Sequence, residues 1–341
     1  MTIARLPLVL NQSRLKDFQN CQRLYAWRYI ENLVPPSRRS ALEIGTAVHT
    51  GLAVFHGGGI PPSMIPPVDP NDDDSIAEHE EWTAASQRPL KDQAVFVALQ
   101  KLRSTAGPTQ MFEDKSLEEA VTIAGRVLDG YVSHWSDTGE VWKPLNQEVE
   151  CLVEVGHGTQ NFLRMRADNL SIWKGGLYLV DYKTAGRMDP RDLLKYEMDV
   201  QLSAYIYGLS KFLTEQARVE DPNADPIFIR GAIIDVLVKT IVPQYAREFY
   251  TRSEEELVEF EAEFNELANR LRLQLHRVAE GEPWKTVFPK NTDNCFRYGT
   301  CPYRDVCLKD TPVRRALYDH REPDYVDASQ QEMSAYKEKS E

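Results

Sequence analysis

The sequence predicts an α/β fold: a β-sheet core flanked by helices, with a helical region ahead of it and a cysteine cluster behind it. Three observations predict this. Glu148, Glu150 and Leu152 alternate with Val149, Cys151 and Val153, as in a strand with one covered face. Ile227 to Val238 is an apolar, β-branched run of the kind that fills a buried strand. Around these stretches, apolar residues recur at the three- and four-residue spacing of helices.

Composition sets the outer bounds. The 341 residues are 42% hydrophobic and 27% charged, which suits a globular chain with ample core. No apolar run approaches the roughly 20 residues that cross a bilayer. The first residues lack a signal-peptide pattern, so a cytoplasmic location with no membrane partner is expected. A net charge of −12 argues against a surface that attracts nucleic acid everywhere. A local basic channel is still compatible with it, because much of the acid lies in Asp69 to Glu81 and after Glu322. Five cysteines, an odd number, speak against a secreted disulfide framework. Metal binding is the better reading of the three at 295, 301 and 307.

Residues 1–56 read as N-terminal helices. Ser13 is a candidate N-cap for a helix over 13–31, with Leu15, Phe18, Leu24, Tyr25 and Ile30 on one side and Arg14, Lys16, Arg23 and Arg28 giving it a basic side. Pro35-Pro36 marks a turn, and a second helix follows from Leu42 to Phe55. There Ile44, Val48, Leu52 and Phe55 form a buried stripe, with Gly45 and His49 one turn apart beside it. Residues 57–81, with three glycines, five prolines and Asp72-Asp73-Asp74, read as a flexible linker or insertion. A helical lobe spans 82–143, broken at Gly107-Pro108. The core follows over 144–252: strands from Gln147, over Phe162–Asp168 and over Leu177–Lys183, then a helix carrying Leu202, Tyr205, Ile206, Leu209 and Leu213. Asp189-Pro190 is a cap with proline in the first turn. Ala246 to Tyr250 is a candidate partner for the 227–238 strand. Ser253 and Glu256 form a capping-box pattern, opening a long helix within 253–320, a region that also holds the cysteine cluster. A polar tail, 321–341, ends the sequence, and no internal repeat is found.

The chemistry concentrates between Arg166 and Lys183. Strand side chains alternate, so Asp181 and Lys183 project from one face. Asp168, at the end of the preceding strand, would join them. Paired carboxylate oxygens are hard ligands of the kind Mg²⁺ or Mn²⁺ takes. A metal there would activate water against a phosphodiester, with Lys183 orienting that water or neutralising developing charge. Taken alone, Asp-x-Lys at a strand end is usually a solvated pair. Glu148 or Glu150 on the strand before, and Gln201 and Tyr205 one helical turn apart on the helix after, raise it above that reading. Tyr205 also lies on the apolar stripe and suits plain core.

Gly45-Thr-Ala-Val-His49, Arg166-Ala-Asp168, Asp181-Tyr-Lys183-Thr and Gln201-Leu-Ser-Ala-Tyr205 occur in the order and approximate spacing of one family. In these motifs the chain resembles the PD-(D/E)XK nuclease superfamily, and within it the RecB-like branch. The resemblance implies a restriction-endonuclease-like mixed β-sheet core and a phosphodiesterase acting on DNA. It implies that Asp168 and Asp181 bind Mg²⁺ or Mn²⁺, that Lys183 is catalytic, and that His49 is a further metal ligand. Gln201 and Tyr205 would lie beside the site, near DNA. Glu150 is carried as the acidic residue of the first core strand, although Glu148 has equal parity and sequence does not separate them.

The cysteine segment has five residues between Cys295 and Cys301 and five between Cys301 and Cys307. A cluster or a zinc site normally takes four ligands, so a distant cysteine must join. Cys151 alternates within a core strand and reads as a small buried residue. Cys21 is the other candidate. RecB-like nucleases of the AddB and CRISPR-associated types hold a [4Fe–4S] cluster with one cysteine before the core and three after it, and the resemblance implies that arrangement here. The even spacing departs from the tighter pair of some members and keeps zinc as an alternative.

Arg14, Lys16, Arg23, Arg28, Arg38 and Arg39, with Arg187, Arg191 and Lys195 after the active strand, fit phosphate tracking and salt-sensitive binding. Trp27, Tyr25 and Tyr29 suit either base stacking or helix packing, the latter being the commoner use of each. The expected activity is a DNA exonuclease of recombination, repair or phage DNA processing, acting on single strands or ends. With no P-loop in the sequence, any helicase function would come from a partner. The competing class is a non-catalytic DNA-binding or assembly subunit that retains the fold.

Overall fold

A computed structural model describes residues 7–35, 40–106, 112, 114–138, 143–297 and 299–321. Arg38, Arg39, the Gly107-Pro108 break and the tail from 322 lie outside the described residues.

The chain enters through β1 (Leu8–Leu10) and α1 (Gln12–Asn20). Asn11, not Ser13, is the N-cap of α1: its Oδ1 accepts the Arg14 N–H at 2.8 Å. Asn11-Gln12-Ser13 offers two good caps, and the strand before it selects the earlier one. The helix expected over 13–31 is broken at Cys21, whose backbone is extended (φ −160°). Beyond it α2 (Gln22–Tyr25) runs into a π-helical turn, Ala26–Ile30. The break has a tertiary cause, because the C-terminal segment holds this junction. Arg23 N–H donates to Pro289 O at 3.1 Å and Arg23 Nε to Phe288 O at 2.8 Å. Asn291 Nδ2 donates to Asn20 O at 2.9 Å. Arg14 and Arg23 are therefore buried rather than forming a wet basic side, and Tyr25, Trp27 and Tyr29 are buried too.

After β2 (Leu33–Val34) comes α3 (Ser40–Gly57). Next, α4 (Asp73–Ser86) begins inside the stretch read as a linker. Asp72 caps it and Asp73 and Asp74 fill its first turn, where carboxylates meet the positive end of the helix dipole. The acidic run is thus a helix start. Trp82 packs edge-on against Phe96 of α5 (Leu90–Ala106), 5.2 Å between ring centres. α6 (Leu117–Thr138) completes the lobe.

The sheet strands are β3 (Lys143–Glu154), β4 (Asn161–Trp173) and β5 (Gly176–Ala185). β4 and β5 are joined by Lys174-Gly175, both at positive φ as a tight hairpin requires. Then follow α7 (Pro190–Leu194), α8 (Val200–Glu220), β6 (Gly231–Val238) and β7 (Gln244–Tyr250). Asp189 and Asp199 cap the two helices through side-chain bonds. α9 (Glu254–Ala279) carries the complete capping box of Ser253 and Glu256. Short helices α10 (Trp284–Val287), α11 (Arg304–Leu308) and α12 (Pro312–Arg315) lead to β8 (Asp319–His320), which pairs with β2.

Among the described residues, six strands form one mixed sheet in the order β1-β4-β5-β6-β7, with β3 on the other edge of β4. β5–β6 and β1–β4 are parallel and the other pairs antiparallel. One face is covered by α1, α8 and α9, through Phe18, Leu202, Tyr205, Phe260 and Phe264. The other is covered by α3, α5 and α6, through Val48, Leu52, Leu102, Leu128 and Tyr131. β6 is buried along its whole length, as a strand covered on both faces must be. No helix among the described residues is long and apolar enough to cross a membrane.

Candidate active site

The β4–β5 ladder runs only as far as Asn169 opposite Val180. Beyond that pair β5 continues beside β6 and β4 beside β3. Asp168 and Asp181 are the first residues past this fork. The Tyr182 N–H, free of the β4 ladder, donates to Asp168 Oδ2 at 2.9 Å. The β3–β4 pairing lapses at the same place. Gln147 and Val149 pair with Asn169 and Ala167, while Glu148 between them takes φ of 49°.

Asp181 and Lys183 face α8. Lys183 Nζ stands 2.6 Å from Asp181 Oδ2. Gln201, the second residue of α8, joins the two: its Nε2 donates to Asp181 Oδ1 at 3.2 Å, and its Oε1 accepts from Lys183 Nζ at 3.4 Å. Gln201 Nε2 also donates to the Tyr205 hydroxyl at 3.0 Å. The helix cap holds Gln201 in place, since Asp199 Oδ1 accepts its backbone N–H at 2.8 Å. From the opposite face, α3 brings His49 Nδ1 to 3.3 Å from Asp168 Oδ2. Gly45 lets α3 lie this close, because a Cβ there would stand 2.9 Å from Thr184 Oγ1 on β5.

The two carboxyl groups are driven apart. Burial pushes Asp181 up to about 6, against the pull of Lys183 and with the Asp168 charge adding to the push. Burial also works against the Asp168 carboxylate. The His49 hydrogen bond and charge, the Tyr182 N–H and Lys183 outweigh it and hold Asp168 below the ordinary carboxylate range. Burial raises the Tyr205 phenol, and the Asp181 charge raises it further, so this hydroxyl stays protonated.

Sequence reading placed Asp168, Asp181, Lys183, His49, Gln201 and Tyr205 in one site, and the structure brings these six together. Glu150 lies exposed on β3, its oxygens 3.7 Å from Arg164 and 3.9 Å from Arg166, and Glu148 pairs with Arg166. Both carboxylates answer the arginines across the β3–β4 ladder. Gln12 was missed. Its Nε2 donates to the Tyr205 hydroxyl at 2.9 Å, across 193 positions of sequence. No local signal marks so long a contact.

Behind the site Tyr182 is buried, stacked on His56 (5.8 Å, 13°). His56 Nε2 lies 3.1 Å from the Tyr131 hydroxyl, which donates to Asp235 Oδ2 at 2.8 Å. Arg247 Nε donates to the same oxygen at 3.0 Å. Burial pushes Asp235 up to about 6 in spite of Arg247. Burial pushes His56 down to about 3, with the Arg247 charge adding to it.

The profile of the PD-(D/E)XK nuclease superfamily matches residues 9–308. The chain belongs to this superfamily. Similar solved structures include a protein from Eubacterium rectale named "Putative exonuclease". It is 13% identical, with 89% of this chain and 93% of that one covered at a TM-score of 0.42. Another is SSO0001, 15% identical, with 57% of this chain and 77% of that one covered at a TM-score of 0.29. No curated protein matches the chain.

PD-(D/E)XK nucleases generally use Mg²⁺ or Mn²⁺. The donor set at the fork fits such an ion: two carboxylates side by side, the buried Asp181 engaged through Oδ2 by the Lys183 ammonium and Asp168 through Oδ2 by His49. Among the described residues no three His, Cys, Asp or Glu side chains are drawn close enough to hold an ion.

The PD-(D/E)XK profile also spans Cys21, Cys295, Cys301 and Cys307, all free thiols that line one cavity of about 340 Å³. Leu24, Trp27, Phe296 and Tyr303 form much of its remaining wall. Asn291 N–H points at Cys21 Sγ, 3.4 Å away. Burial raises the Cys301 thiol, and the nearby sulfurs of Cys295, Cys21 and Cys307 raise it further. Cys151 is buried in β3 away from this cavity, where burial pushes its thiol up to about 12.

Proposed function

We propose that this PD-(D/E)XK chain is a metal-dependent deoxyribonuclease that removes nucleotides from DNA ends during recombination, repair or phage DNA processing. One observation carries the reading: Gln201 bridges a buried carboxylate and the lysine two residues along, beside a second carboxylate held by a histidine. In such a site Asp168 and Asp181 would hold Mg²⁺ or Mn²⁺, with His49 supporting Asp168 or adding a ligand. The ion would lower the pKa of a water and offset charge on the scissile phosphate. Lys183 orients the water, Gln201 keeps Lys183 and Asp181 in register, and the protonated Tyr205 hydroxyl braces Gln201. Exposed Arg187 and Arg191 on the segment after β5 suit phosphate tracking.

The test is hydrolysis of end-labelled linear, circular and flapped DNA, with RNA as control, in Mg²⁺ and in Mn²⁺. Short labelled products from linear DNA and intact circles are expected. Asp181→Ala and Lys183→Ala should each lower the rate by at least about a hundredfold. Activity that survives both substitutions sinks the assignment, and equal cutting of circles sinks its exonuclease part.

We further propose that the cysteine cavity holds a [4Fe–4S] cluster. One zinc ion would need its sulfurs drawn to about 2.3 Å of a single centre. Four thiols spaced around a cavity suit a larger group better. Brown protein with sulfide and iron after anaerobic purification supports the cluster, and colourless protein with one zinc per chain refutes it.

A further inference from the structure

We propose that Gln12 is a positioning residue of the nuclease site, holding Gln201 in the orientation that serves Asp181 and Lys183. The proposal rests on the deoxyribonuclease reading and adds to it a residue from outside the sheet and outside α8. Gln12 reaches the site through Tyr205. The Tyr205 hydroxyl takes an N–H from Gln12 at 2.9 Å and one from Gln201 at 3.0 Å. Gln201 spends its other N–H on Asp181 and its carbonyl oxygen on Lys183.

A terminal amide turned end for end would present oxygen to Asp181 and nitrogen to Lys183, and both contacts would become repulsive. Asp181 and Lys183 set the direction of the amide, and the Tyr205 oxygen adds a third contact on Nε2. Gln12 holds the phenol from the far side and so keeps that third contact in place. The backbone of Gln12 is well anchored for this work. β1 lies in the sheet, with Leu8, Val9 and Leu10 paired to Asn161, Phe162 and Leu163, and Asn11 caps the helix that Gln12 begins.

The other end of the Gln12 amide makes no competing bond: its Oε1 is shut off from solvent and has no hydrogen-bond partner among the described residues. Turning this amide would let Tyr205 donate to Oε1 and would leave Nε2 unpartnered instead. In either orientation Tyr205 is the partner it keeps.

Gln12→Met keeps the length and removes the amide; Gln12→Asn keeps the amide and shortens its reach by one methylene. Each is expected to lower kcat on saturating linear DNA about tenfold, with KM within about twofold of the wild type, as the loss of one net hydrogen bond implies. In a Tyr205→Phe background neither should lower kcat further, because the route to Gln201 is already cut. A folded variant with wild-type kcat, or losses that multiply with Tyr205→Phe, overturns the proposal. If Gln12→Met fails to fold, Gln12→Asn carries the same test at this first helical position.

A readout free of activity separates the two readings. The Gln201 side-chain amide resonances, assigned by their loss in Gln201→Leu, should shift or broaden in Gln12→Met; unchanged resonances refute the proposal. A wild type that cuts no DNA defeats the nuclease reading, while these resonances still decide whether Gln12 orders Gln201.

Discussion

Asp181 and Asp235 are both carboxyl groups that the fold holds nearly out of water, on opposite faces of neighbouring strands. Asp181 serves the site, and Asp235 meets Arg247, Tyr131 and the charge of nearby His134. Its folded value of about 6 stands above the unfolded carboxylate value of about 3.9. Between those values the folded chain binds more protons than the unfolded one. Stability from this group therefore falls as pH rises through that window, and the penalty is complete above about pH 6. His56, at about 3 folded against about 6.5 unfolded, acts oppositely over the same window, but it is common to wild type and an Asp235 variant and largely cancels in their comparison. Asp235→Asn puts a neutral amide where wild type has a neutral acid below about pH 6, and removes the Arg247 counter-charge only above it. Because wild type alone must ionise a buried carboxyl, the variant's stability relative to wild type should rise from pH 4 to pH 7 by about 2 kcal/mol. Urea unfolding of both proteins across that range measures it, and a difference that does not change with pH contradicts the buried-carboxylate account.

At the scale of elements, α3 shows how closely helix and sheet are fitted. A Cβ on Gly51 would stand 2.7 Å from the Ala94 carbonyl oxygen and 2.8 Å from Leu128 Cδ1. Backbone cannot turn aside, so Gly51→Ala must push α3 off α5, at about 1–3 kcal/mol. Gly45→Ala meets only the Thr184 side chain, which must give way by a change of χ1 where backbone could not, and gains about 1 kcal/mol of helix propensity. Denaturant midpoints should fall clearly for Gly51→Ala and little for Gly45→Ala; the reverse order would refute this packing. Elements were legible where their signals are local. Ser253 and Glu256 announce α9, and Asp189-Pro190 announces α7. The break at Cys21 was not legible, because the bonds that cause it come from residues beyond 280. Nor was the start of α4, where three aspartates suit a disordered run and a capped helix equally well.

Across the whole molecule the same distinction governs the site. Asp181 and Lys183 could be read as a pair because strand parity is local, and Asp168 because a hairpin lies between. Placing Glu148 and Glu150 required the register and the arginines of β4, which meet both of them. Finding Gln12 required the fold itself. The cysteines sit at the same scale, since a group held by Cys21 and Cys295 closes a loop over most of the chain and restricts the unfolded state accordingly. If the cavity holds the proposed cluster, Cys301→Ala should lose its iron and lower the thermal midpoint. It should also expose the α1–α2 junction to protease while leaving α9 protected. A metal-free variant with wild-type melting would show that the cavity contributes no stability.

The clasp on α1 has a consequence for synthesis. Asn20 and Arg23 are held by Phe288, Pro289, Asn291 and Asn294. A chain still being made on the ribosome has Gln12 outside the tunnel long before those residues emerge. The sheet, with β1 and the start of α1 anchored in it, can assemble in that interval, along with His49 and α8. The far end of α1 and the Cys21 junction stay unfastened until residues 288–294 emerge.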